Sequence, residues 1–470
     1  MKKLLILIFL ILSNTGFSQD TQYWSQQYGT KSFYLGGVVI GSMLDLSATY
    51  YNPGAIALMK NPEFLTGAKS FSLTQFRFKD GAGKEHDFEA LRGDAPPDLF
   101  AGLFSFGKKP QDRLVYSFLI RKRIKFRVYS SADDLRNIEN AGLGNDKYFG
   151  ITQIEWDVNE TWLGLTYSKL LSKNIGLGLT QYFSYFGLYT KVDINSQALT
   201  ENRSMPITHL GNFINSYNIK TLSKIGLFFD YSPLKFGFTT TLPSINLFGT
   251  GDYYSNDTYA GQDLSDTGDK ENYMDNYFIE DAKSYYPSSW TIGAGFSYAF
   301  KKSQIHFSME WFAPVKPFNH LDLPNIVNKT TGETDQVSLM QEYKSVTNFG
   351  IGWEHIFNDH FSLFGGATTN FTATPPGSKE SISLSSWDIY QISAGTVFSY
   401  KWIKMNTGIK FAFGSQNAKQ LVNYPTASLD NFLIGNLSIA KINYKELKVI
   451  IGFSLRLFSE EKNSKIKKDE

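Results

Sequence analysis

Cysteine is absent from the 470 residues, which excludes a disulfide framework, a thiolate nucleophile and any Cys-ligated metal. Charge is also scarce: Asp, Glu, Lys and Arg make up 19% of the chain. Lys2 and Lys3 open an N-terminal stretch whose apolar core, Leu4–Leu12, and small-residue end, Gly16-Phe17-Ser18, read as an export signal over residues 1–18. Without those two lysines, the 46 basic residues fall to 44 and balance the 44 acidic ones, so the mature chain is formally neutral. A nucleic-acid partner would demand a basic excess, and none is expected. Long hydrophobic runs are missing as well. Leu4–Leu12 is too short to span a bilayer as a helix, and no later run approaches the roughly 20 residues required.

Aromatic residues and glycine are plentiful, with 39 Phe, 27 Tyr and 39 Gly. They are arranged with a period of two. Trp290, Ile292, Ala294, Phe296, Tyr298 and Phe300 share one face, while Thr291, Gly293, Gly295, Ser297 and Ala299 share the other. Ile305–Trp311, Ile403–Phe413 and Leu447–Leu457 repeat the pattern. Strands that are apolar on one face and small or polar on the other are solvated on one side only. Set in lipid, the apolar face points outward and the polar face lines a lumen.

The connections fall into two populations. Short ones are expected at Lys108–Gln111, Ser172–Asn174, Ser232–Leu234, Lys301–Ser303, Asn358–His360 and Tyr400–Trp402. Long polar ones are expected over 79–98, 130–150, 191–216, 249–287, 316–343, 372–386 and 414–430. Six short turns and seven long loops join fourteen strands, the layout of an outer-membrane barrel. The reading is therefore an all-β chain, a transmembrane antiparallel β-barrel of about 14 strands over residues 61–458, with a charged periplasmic tail at 459–470. Asn431–Phe458 is long for one strand, and a turn at Asn443–Glu446 is the alternative.

Residues 19–60 are written differently. Gly36–Leu58 interleaves small residues with apolar ones, lacks the two-residue period and is broken at Asn52-Pro53-Gly54. Small residues permit close backbone approach, and Pro and Gly set turns. A compact plug inside a narrow bore fits this composition; a soluble turn segment is the other reading.

A small-residue segment ending in Asn-Pro, following an export signal and preceding about fourteen strands, resembles the outer-membrane long-chain fatty-acid and hydrocarbon transporter family (FadL/TodX-type). Gly36, Gly37, Asp45, Ala48, Asn52 and Pro53 match that family's hatch signature, while Gly54-Ala55 stands where the family has Ala-Gly. The resemblance implies a bacterial outer-membrane protein with residues 19–60 as an N-terminal hatch. It also implies passive uptake of a hydrophobic small molecule such as a long-chain fatty acid or hydrocarbon. Capture between long extracellular loops, an apolar pocket above the hatch and lateral release through the wall would follow, among outer-membrane lipid and lipopolysaccharide.

Within this frame the candidate ligand-binding residues are Arg121, Arg123, Lys125 and Arg127, which alternate with apolar residues and are expected to face the lumen. Lys122 breaks the alternation. Arg offers a planar fork to a carboxylate, but pairing with Glu155 and Asp157 on the next strand is the competing reading. Leu210, Phe213 and Ile214, near His209, are the candidates for the capture groove. His306, Ser308 and Glu310 share a face, yet spacing of about 6.6 Å or more along a strand separates them too far for a catalytic set. No catalytic residue, cofactor or metal is expected; the aspartates at 252, 257, 263, 266 and 269 lack calcium-loop spacing. The alternative functions are a barrel-type interaction protein that serves a secreted protein partner, and a general porin.

Overall fold

The computed structural model describes residues 22–455 apart from 43, 60–64, 67–68, 96–98, 105–111, 140–141, 263–270, 376–385 and 401–402. The export signal, the C-terminal tail, the turn at Lys108–Gln111 and part of that at Tyr400–Trp402 lie outside the described residues. No helix among the described residues is long and apolar enough to cross a membrane, which says nothing of strands.

Among the described residues the main sheet holds two strands of two residues, Leu65–Thr66 and Leu321–Asp322, and seventeen longer runs. The first of the longer runs are β1 (Lys69–Lys79), β2 (Phe88–Asp94), β3 (Leu99–Phe104), β4 (Asp112–Asn137), β5 (Gly142–Ser172) and β6 (Ile175–Leu199). Next come β7 (Ile207–Tyr231), β8 (Leu234–Thr241), β9 (Ile245–Gln262), β10 (Glu271–Ser284), β11 (Thr291–Phe300) and β12 (Ser303–Phe312). The last five are β13 (Val346–Asn358), β14 (Phe361–Asn370), β15 (Ile389–Tyr400), β16 (Ile403–Lys419) and β17 (Ile439–Leu455). Every ladder is antiparallel, most runs pair with their neighbours in the chain, and β17 pairs back onto β1, Lys69 opposite Ile451. At Leu242-Pro243-Ser244 the chain steps from β8 to β9, and both pair with β7. A similar step, at Tyr285–Trp290, separates β10 from β11. One seam is interrupted. β3 pairs with β4, but among the described residues no ladder joins β2 to β4.

Four of the expected short turns are present: Ser172–Asn174, Ser232–Leu234, Lys301–Ser303 and Asn358–His360 each join two runs. The long connections are a correction. Residues 130–150, 191–216 and 249–287 are largely strand, because β4 to β7, β9 and β10 continue far beyond a bilayer's thickness. β4 to β7 are 25–31 residues long, against the 9–11 that cross a membrane. The outward faces record the change of solvent. Leu163, Leu165, Tyr167, Leu177, Leu179 and Phe183 are exposed near the short turns, while Asp157, Lys191 and Asp193 occupy the same faces further up. β17 runs unbroken through Asn443–Glu446, so that stretch is not a turn.

The upper end, the crown, is filled. Phe76, Phe88, Phe126, Trp156, Tyr259 and Trp387 meet there, with Tyr424 and Leu433 from the connection between β16 and β17. Tyr424 donates to Thr152 Oγ1 (2.8 Å), and Tyr148 donates to the Leu433 carbonyl (3.0 Å). Below, residues 22–59 form an enclosed segment with two short helices, α1 (Thr30–Tyr34) and α2 (Ala48–Tyr51), and a 3₁₀ turn at Pro53–Leu58. Tyr28, Phe33, Tyr34, Leu35, Val38 and Ile56 are all buried to within 1% of full.

In the crown Asp257 stands directly opposite Asp275 across the β9–β10 ladder. Burial and that second carboxylate push Asp257 up to about 7. A carboxyl raised in the fold stabilises it fully below its unfolded value of about 4, and the contribution disappears as pH rises through 7. Amide exchange in β9 and β10 should therefore quicken between about pH 5 and pH 8 beyond the intrinsic rate, and Asp257→Asn should abolish the excess. Identical excess in the variant would disconnect the crown from this pair.

Candidate ligand-binding site

The enclosed segment approaches the sheet through small residues. A side chain at Gly41 would run into the β11 backbone at Gly295 and Phe296, and one at Gly178 into Pro53. With backbones this close, polar groups meet directly. The Asn52 amide donates to the carbonyls of Ile40 (3.0 Å) and Leu227 (3.1 Å), and its oxygen accepts from Gly54 N–H (3.1 Å). Gly36 and Gly37 both adopt positive φ, 67° and 83°, in the turn that follows α1. Asp45 accepts from Ser47 N–H (2.9 Å) ahead of α2. The motif residues Gly36, Gly37, Asp45, Asn52, Pro53 and Gly54 thus fold the segment and dock it.

The cationic row departs from its expected arrangement. A bulge between Ile120 and Lys122 shifts the register of β4 on β5, from Ile120 opposite Thr161 to Lys122 opposite Glu160. An extra residue turns every later side chain to the other face. Arg121 and Lys122 both point inward and are about 95% buried. Arg123, Lys125 and Arg127 are exposed, while Phe126 and Val128 enter the crown core. Arg123 bonds Asp94 (2.9 Å), Lys125 bonds Asp157 (3.0 Å) and Arg127 bonds Glu155 (2.8 Å), the ion-pair alternative. The break at Lys122 marked the bulge. The carbonyl of Ile120 accepts from the Tyr28 hydroxyl (3.0 Å), so the segment braces this irregularity.

The inward pair opens onto a cavity above the segment. Arg121, Lys122, Lys220 and Lys224 line it against Glu160 and Glu310, with Tyr50, Trp162, Tyr286 and Phe312 as aromatic walls. Lys220 bonds Glu160 at 3.1 Å and lies over the Tyr286 ring at 4.5 Å. Lys224 sits 3.7 Å from Glu310 and 4.8 Å over Tyr50. Glu160 also accepts from Trp162 Nε1 (3.0 Å) and Ser184 (3.1 Å), and Glu310 from Trp24 Nε1 (2.8 Å). Four cations against two carboxylates, walled by aromatic rings, form a place for a negative head beside an apolar body. Lys220 and Lys224 were missed in the sequence, although their spacing of four along β7 puts both on its inward face.

The other candidates separate. Leu210 and Ile214 stand in β7 and enter two different cores, and Phe213 packs edge-on to Tyr189 at 5.3 Å. They do not form one groove. His306, Ser308 and Glu310 each serve the docked segment: His306 bonds Ser42 (2.7 Å), and Ser308 accepts from Ile40 N–H (3.1 Å). Lys410 is buried and donates to Gln27 (2.8 Å). Among the described residues no cluster of three or more potential metal ligands occurs.

Breaking a buried ion pair leaves an uncompensated charge and costs about 3–5 kcal/mol. Glu160→Gln should accordingly lower the temperature at which the folded form converts to the unfolded band on a gel. Glu160→Gln combined with Lys220→Met should recover part of the loss. An undiminished transition in the single variant would mean that the pair is not buried.

No family model matches the chain, and no curated protein sequence does. Solved structures do. A FadL homologue from Pseudomonas aeruginosa is similar over 92% of this chain and 99% of its own, with a TM-score of 0.56 and 11% identity. The toluene transporter TodX of P. putida is similar over the same shares, with a TM-score of 0.54 and 9% identity. Over most of its length the chain therefore has the fold of the FadL/TodX-type outer-membrane transporters.

Proposed function

We propose that the chain is an exported outer-membrane β-barrel of fourteen strands, with residues 19–60 as its hatch. We propose that it takes up hydrophobic molecules bearing a carboxylate, such as long-chain fatty acids. β2 with β3, β8 with β9, and β10 with β11 each continue one another, which reduces seventeen runs to fourteen wall positions. The observation that carries the substrate class is the cavity with Arg121, Lys122, Lys220 and Lys224 against Glu160 and Glu310. A neutral hydrocarbon has no use for that charge. A fatty acid matches both halves of the site, since each buried CH₂ contributes about 0.8 kcal/mol and the cations receive its head.

Capture from outside then requires the connection bearing Tyr424 and Leu433 to move, because it fills the crown. Lateral release has a natural exit at the seam where β2 and β4 lack a ladder. TodX is a toluene transporter; a cationic cavity points this chain to acidic ligands instead. The second reading, a barrel that serves a secreted protein, has no comparable observation behind it.

Lipid extracted from the purified protein should be dominated by free fatty acids. Lys220→Gln with Lys224→Gln should reduce retention about tenfold or more, since each charge-assisted hydrogen bond contributes about 1.5–3 kcal/mol. Retention of neutral hydrocarbons alone, or equal fatty acid in the variant, would reject the substrate class.

A further inference from the structure

A second cavity lies at the interrupted seam. Its walls carry Arg92, Lys122, Arg123 and Lys448 against Asp94 and Glu446, beside the apolar side chains of Ile124, Phe126 and Ile389. Lys125 also borders it, but its ammonium turns outward to Asp157. The seam is held by side chains where backbone pairing is missing. Arg92 Nη1 donates to the Lys125 carbonyl (2.7 Å), and Asp94 Oδ2 lies 3.3 Å from Arg92 Nη2 and 2.9 Å from Arg123 Nε. On the opposite wall Lys448, 95% buried, donates to Gln26 of the docked segment (2.8 Å) and lies 3.5 Å from Glu446.

We infer that this cavity is a second anion-binding subsite, which takes the carboxylate head of an amphiphile between Arg92 and Lys448 with its tail along Phe126 and Ile389. Positive charge exceeds negative in the lining, as in the first cavity, and the apolar strip lies beside it. Lys122 borders both cavities. A carboxylate leaving Lys220 and Lys224 therefore meets Lys122, then Arg92, and stays in positive potential until it reaches the seam. Transfer of a bare carboxylate through an apolar passage is strongly disfavoured; a chain of cations avoids that barrier. Arg suits the outer position because its guanidinium can exchange the Lys125 carbonyl and Asp94 for a two-pronged grip on a carboxylate.

This inference rests on the carboxylate reading of the first cavity, but its test separates the two. Labelled dodecanoate is titrated against the full-length protein in detergent micelles, with the bound stoichiometry as the readout. The protein should bind two dodecanoates of unequal affinity. Arg92→Gln with Lys448→Gln should weaken one about tenfold and leave the other unchanged, while Lys220→Gln with Lys224→Gln should do the reverse. Arg92→Lys with Lys448→Arg, which keeps the charge, should restore two-site binding. Arg92→Gln alone, at a part-exposed position, provides the folded control and should weaken the same site. One dodecanoate per chain, unaffected by either Arg92 variant, would overturn the second subsite and leave the first. Binding sensitive to Arg92 and Lys448 but indifferent to Lys220 and Lys224 would overturn the first and leave the second.

Discussion

Backbone against backbone is the contact on which this structure turns. Residues 22–59 carry their own apolar side chains and a full set of peptide groups into a space walled by strands whose hydrogen bonds are already used in ladders. Such a segment can be enclosed only if each peptide group finds a partner, because a buried orphan costs about 1–3 kcal/mol. Glycines opposite one another solve the steric half of the problem, as at Gly41 and Gly295. Short polar side chains solve the other half: Ser168 donates to the Pro53 carbonyl (2.8 Å), Ser297 to Gly41 (2.9 Å) and Ser393 to Tyr34 (2.8 Å). Serine and glycine on the inward face of the strands are thus the complement of serine and glycine in the segment.

The charged cavity depends on the same docking. Tyr50 and Trp24, both from the segment, supply a ring beneath Lys224 and an N–H to Glu310. Tyr28 ties down the bulge that turns Arg121 and Lys122 inward together. Take the segment away and the cations lose aromatic cover and a partner for their carboxylate, in a place where the charged groups are buried. Burial, bulge and charge are one construction, and the seam between β2 and β4 stands immediately above that bulge.

The sequence was a good guide wherever a two-residue period ran undisturbed. Thr291–Phe300 could be read face by face, and Thr291, Gly293, Gly295 and Ser297 point inward while Ile292, Phe296 and Tyr298 point out. Asn52-Pro53 marked the turn that docks the segment, since Asn can satisfy neighbours that proline cannot. Two things were hidden. A single inserted residue at Arg121 reverses the faces of the upper half of β4, and only Lys122, a lone cation in the apolar row, hinted at it. Far from the short turns the strands become polar on their outer face, so β6 and β7 near residues 191–216 looked like loop; there the outward side chains, not the secondary structure, had changed. Lys220 and Lys224 were legible as inward charges but drew no notice beside the denser row in β4.

We propose that residues 22–59 occupy the bore. Single-channel recording in planar bilayers tests it most directly, by comparing the full chain with a form that lacks these residues. The account predicts that the full chain is nearly silent, and that the shortened, folded barrel opens steadily and passes ions. Equal conductance in the two would contradict it, and would place the segment outside the path.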